Sequence, residues 1–180
     1  MNVTVKQFLR RLRYALLGVM CVTGAFAADQ TLFNFDGATN LAQVVKTDAI
    51  VAAVKAGSGM AMRVSTGTNQ PWPGVTLPAP DGNWDLSRFA QVVLKVKNAG
   101  TKRGTLNCRV DNPGADGTKN CVNGSLTLNP GQSDMLRVTL RRASDDKLGG
   151  RLFGLRGYPV AAGGHGTIDP TNITQILLFV

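Results

Sequence analysis

The chain contains no glutamate: all 11 of its acidic residues are aspartate, set against 20 lysines and arginines. It has a single histidine, His165, three cysteines and only 6% aromatic residues. Each shortage closes off some chemistry. One histidine among glycines cannot build a histidine-rich metal centre, and it reads as an exposed loop residue. No Gly-x-Ser-x-Gly elbow is present to seat a serine nucleophile. Asp145-Asp146 are adjacent and read as a solvated turn, whereas hydrolytic carboxylate pairs face each other across a cleft. Basic residues are scattered, with no basic helix and no interleaved aromatics, which argues against nucleic acid as a partner.

What is present begins with a leader. Lys6, Arg10, Arg11 and Arg13 precede the apolar run Ala15 to Ala27, and Ala25-Phe26-Ala27 offers the small-x-small cleavage pattern. The run falls short of the roughly 20 residues that a membrane span requires. Residues 1–27 therefore read as a signal peptide, and 28–180 as one secreted or periplasmic domain, free of the membrane after cleavage. Losing the four leader cations lowers the net charge from +9 to +5. Part of the basicity is an export signal.

Cys108 and Cys121 remain after cleavage. In an exported chain such a pair across a short polar loop reads as a disulfide, which would contribute about 3 kcal/mol in the chain-entropy picture. Two buried thiols are the alternative.

Strand periodicity dominates the rest. Val92, Leu94 and Val96 alternate with Gln91, Val93, Lys95 and Lys97, and Leu106, Cys108 and Val110 alternate with Asn107, Arg109 and Asp111. The Gly/Lys/Arg turn between them makes this a hairpin. Further strands are expected over Thr31–Asp36, Met60–Ser65, Gly74–Leu77, Ser125–Leu128, Met135–Leu140 and Ile173–Val180. The segment Asn40 to Lys55 mixes a helical stripe with β-branched residues, and is read as irregular chain followed by a strand from Ala49. Gly149 to Gly166 is a glycine-rich loop. Short, evenly spaced strands with Gly and Pro punctuation indicate an all-β domain, a jelly-roll-like antiparallel β-sandwich.

Five stretches, in order, carry a resemblance. They are Leu32-Phe33-Asn34-Phe35-Asp36, Trp84-Asp85-Leu86-Ser87, Arg109-Val110-Asp111-Asn112-Pro113-Gly114, Leu128-Asn129-Pro130-Gly131, and Phe153-Gly154-Leu155-Arg156-Gly157-Tyr158-Pro159. Together they resemble the carbohydrate-binding-like β-sandwich, of galactose-binding type, at the N-terminus of secreted β-agarases. The likeness spans about Leu32 to Val180. It implies an ancillary module that contacts agarose-type galactan or, binding no glycan, braces the catalytic barrel that follows it and uses two glutamates. With no barrel and no glutamate, this segment is expected to be non-catalytic and to need no cofactor. The chain stops inside an apolar strand, which suits a polypeptide continuing into that barrel.

The candidate sugar contacts are Trp72, Arg109, Asp111, Asn112 and Tyr158. A loop tryptophan between Pro71 and Pro73 offers a rigid flat ring for a sugar's C–H face, or forms a lid over the sandwich. Arg109, Asp111 and Asn112 supply bidentate polar groups at a strand end, although Asp-Asn-Pro-Gly also reads as a plain turn. Tyr158 either stacks on sugar or caps an edge. Trp84 reads as core. Asp36 and Asp169 would approach each other if the first and last strands pair, and could then hold a structural calcium.

Overall fold

Alternation at every second residue turns one face of each strand inward. The computed structural model describes residues 3–6, 29–35, 39–140 and 167–180, and the alternating segments in it form antiparallel sheets. In chain order the elements are β1 (Val3–Lys6), β2 (Asp29–Phe33), a one-turn α1 (Thr39–Ala42), β3 (Val45–Thr47), β4 (Ala49–Ala56) and β5 (Gly59–Thr66). They continue with β6 (Gly74–Pro78), β7 (Gln91–Lys97), β8 (Gly104–Asp111), β9 (Cys121–Leu128), β10 (Ser133–Thr139) and β11 (Gln175–Phe179). One sheet runs β10-β7-β1-β2, a second β3-β6-β11-β8-β9, and β4-β5 form a separate hairpin. The fold is the all-β antiparallel sandwich that the periodicity predicts.

The core lies between the two larger sheets. Val92, Leu94, Leu136 and Val138 face inward from one side. Opposite them the five-stranded sheet presents two inward rows, Leu77–Ile176–Val110–Val122 and Val75–Leu178–Cys108–Gly124, read directly from its register. Every side chain in these rows is buried apart from the glycine, each contributing about 1.5–3 kcal/mol if large and apolar. Gly124 is required where β10 passes closely over β9, because a Cβ there would lie 2.7 Å from the Arg137 carbonyl oxygen. Phe33, Phe35, Leu86 and Ile173 join the same buried cluster. Trp84 packs edge-on to Phe33 at 5.5 Å, as a core-packing tryptophan should.

Three expectations are revised. Cys108 and Cys121 are both free and buried. The register sets Cys108 opposite Gly124, and Cys121 opposite Asp111. The two therefore lie three positions apart along the ladder, on opposite faces of the sheet. That offset is roughly 10 Å, beyond the separation a disulfide can bridge. Burial pushes both thiols above their ordinary pKa, the opposite of what a reactive thiolate needs. A reducing agent should accordingly leave the thermal midpoint unchanged; a drop of several degrees would restore the bridge.

Second, the first and last strands do not pair: β2 lies in the four-stranded sheet and β11 in the other. Third, β9 begins at Cys121, four residues before the strand expected from Ser125. Its first half, Cys-Val-Asn-Gly, lacks the clean alternation that marks its second half. One placement is notable for its position in the chain. Val3–Lys6, within the segment read as a leader, forms the strand between β2 and β7.

Candidate functional site

The face of the five-stranded sheet turned away from the core is built from the residues between the inward rows. Its register gives the rows Pro78–Gln175–Asp111–Cys121, then Val45–Thr76–Leu177–Arg109–Asn123, then Gly74–Phe179–Asn107–Ser125, and finally Thr105–Thr127. Apolar groups gather toward the β3, β6 and β11 side, and amides and hydroxyls toward β8 and β9. Asn123, Ser125, Thr105 and Thr127 are exposed, while Leu177, Phe179, Asn107 and Arg109 are half-buried. The threonine hydroxyls bond each other at 2.8 Å.

Trp72 stands at the apolar end. It is 68% exposed, and its indole meets the ring of Phe179 edge-on at 5.8 Å. Its backbone is left-handed, with φ of 59°, an arrangement that costs a bulky residue about 1–3 kcal/mol. Local sequence does not explain this, because the following Pro73 favours extended backbone at negative φ for Trp72. Tertiary structure supplies a constraint instead: the Val180 N–H donates to the Pro73 carbonyl at 3.1 Å, tying the loop to the end of β11.

Arg109, Asp111 and Asn112 do not act as one cluster. Arg109 donates from Nε and Nη2 to the two Asp111 carboxylate oxygens at 2.8 and 3.0 Å. Gln175 Nε2 donates to the same carboxylate at 2.9 Å, and Asp111 is fully buried. Asp111 is thus an internal anchor that fixes Arg109, and three of the five guanidinium donors have no hydrogen-bond partner among the described residues. Asn112 points elsewhere. Its Nδ2 donates to the carbonyls of Asp169 and Asn172 at 2.7 and 2.6 Å, and its Oδ1 accepts the Asp169 N–H at 2.7 Å. These bonds clamp the approach to β11 onto the end of β8. An open depression of about 720 Å³ lies beside this clamp, with Ser87, Asn120 and Thr171 on its walls.

Asp169 Oδ1 accepts from the Thr171 hydroxyl at 2.7 Å and its N–H at 2.9 Å. Asp36 lies outside the described residues, as does Tyr158. Among the described residues no group of three His, Cys, Asp or Glu side chains converges on a cation position. With β2 and β11 in different sheets, the arrangement expected to bring Asp36 to Asp169 does not form.

Three exposed aspartates close local turns. Asp116 accepts the Lys119 and Thr118 N–H groups at 2.7 and 2.8 Å, which hold its carboxyl down at about 2. Asp85, through the Ser87 N–H, and Asp169, through Thr171, are also lowered from 3.8. A depressed carboxyl contributes stability above its unfolded pKa and loses it as pH falls through the folded value. The thermal midpoint should therefore stay level down to pH about 4 and decline from there toward about 2. A decline beginning above pH 5 would show that other groups control acid unfolding.

Of the residues named from sequence, Arg109 and Asp111 lie on this face and Trp72 stands at its edge, while Phe179, Leu177, Asn107 and Asn123, which share it, were not named. Only the register, which sequence does not display, aligns them. The fold and face define a two-sheet antiparallel sandwich with one amphipathic outer surface. No protein-family model, curated protein or solved structure matches the chain.

Proposed function

We propose that this chain is the ancillary carbohydrate-binding module of a secreted, agarase-like glycoside hydrolase, contacting galactan through the outer face of its five-stranded sheet. The observation carrying this reading is Trp72, exposed, backbone-strained and braced on Phe179 at the apolar end of an amphipathic face. Pyranose rings are amphipathic: their C–H faces pack on indole, and their hydroxyls seek amides and guanidinium. Asn107, Asn123 and the remaining Arg109 donors supply those groups. The module itself is non-catalytic in this reading, since the full sequence has no glutamate, and its catalytic partner is a following barrel. Removal of residues 1–27 on export would take β1 from its place beside β7, leaving Gln91–Leu94 to be paired anew.

Affinity electrophoresis in agarose against polyacrylamide tests the reading. Retardation in agarose alone is expected, whereas unchanged mobility of the folded protein rejects galactan binding. Release of reducing ends from agarose by this chain would reject the non-catalytic role.

A second reading, that the sandwich braces the barrel, is favoured by the β3–β4 region. Ile50 on β4 is 74% exposed and Val45 on β3 57%, two apolar side chains that a neighbouring protein body would cover. In that case Trp72→Ala would leave agarose retention unaltered.

A further inference from the structure

The loop that presents Trp72 is fastened at its other end by a residue remote in sequence. We propose that Asp48, between β3 and β4, is the positioning residue that sets the orientation of the Trp72 ring for glycan. This rests on the carbohydrate-binding reading above. Asp48 Oδ2 accepts the backbone N–H groups of Asn69 and Gln70 at 2.6 and 3.2 Å, while its own carbonyl accepts the Gly67 N–H at 2.7 Å. The residues it captures end two positions before Trp72. Asp48 is itself left-handed, with φ of 44°, a conformation that aspartate and asparagine tolerate better than most residues. Gly67 packs against the carboxylate so closely that a Cβ there would collide with Oδ1. One residue thus ties the segment that follows β5 back to the start of β4. Together with the Val180–Pro73 bond it holds the loop at both ends, so the ring does not have to be ordered when sugar arrives.

Labelling the two tryptophans with 5-fluorotryptophan gives one fluorine resonance for Trp72 and one for Trp84, the second reporting the core. Asp48→Gly keeps the left-handed backbone and removes the acceptor. It should shift or broaden the Trp72 resonance, leave that of Trp84 in place, and weaken agarose retention at least threefold. Asp48→Asn, which still offers an acceptor oxygen, should restore both to near wild type. Gly67→Ala, which displaces the carboxylate without altering Asp48, should reproduce the glycine variant, and decides the matter if that variant unfolds. A Trp72 resonance unmoved in whichever of these two variants folds overturns the proposal. If the resonance moves but even wild-type protein is not retained by agarose, the glycan reading falls and the latch remains a structural one.

Discussion

Asp111→Ala should lower the stability of this domain by about 3 kcal/mol, the low end of what removing one partner of a buried ion pair costs. The low end applies because Arg109 keeps 20% side-chain exposure and can turn toward water. The loss has two sources. Arg109 is left without its bidentate partner, and Gln175 Nε2 on β11 loses its acceptor. Set against a total of about 5–15 kcal/mol for a domain, this is a large fraction, and the thermal midpoint should fall by roughly 10 °C. Asp111→Asn keeps shape and one acceptor oxygen but turns its NH2 toward an Arg109 or Gln175 donor, so it should lose only somewhat less. Urea unfolding of the three proteins measures both values. Equal losses for the two variants would mean that the charge, not the hydrogen-bonded geometry, dominates.

Trp72→Ala should do the reverse, sparing the fold and weakening the proposed agarose binding. The ring is mostly in solvent and touches the rest of the domain chiefly through Phe179, so unfolding free energy should change by no more than about 1 kcal/mol. Agarose affinity should fall about 30-fold, as for an aromatic hot spot worth about 2 kcal/mol. Trp84→Ala is the contrasting control. That ring packs against Phe33 beside the core, so its loss should destabilise the domain by about 3 kcal/mol or more. Loss of stability in the Trp72 variant comparable to this would return Trp72 to the role of a lid.

The strands were legible where apolar and polar residues strictly alternate. β7, β8 and β10 lie within a residue or two of their expected bounds, because a half-buried strand can satisfy its core in only one register. The start of β9 was not legible, since Cys121 and Val122 are both buried although they lie on opposite faces of the sheet, Val122 in the core and Cys121 beside Asp111, so burial does not alternate there. Pairing was less legible still. Nothing in the sequence says that Cys121 sits opposite Asp111 rather than Cys108, and the disulfide expectation failed on that single point. The site shows the same division. Trp72 announces itself through its prolines, but Phe179 and Asn123 become part of one surface only once β6, β11, β8 and β9 are laid side by side. Asp48 is the extreme case, its partners being 21 and 22 residues away across a hairpin.

Titrating the isotope-labelled protein with agarose-derived oligosaccharides, and following its amide and side-chain NMR signals, tests the outer face directly. The account predicts shifts confined to Trp72, Leu177, Phe179, Asn107, Arg109 and Asn123, with Asn112 and Asp169 unmoved. Shifts gathered instead around Asn112, Asp169 and Thr171, or no shifts at saturating sugar, would contradict it.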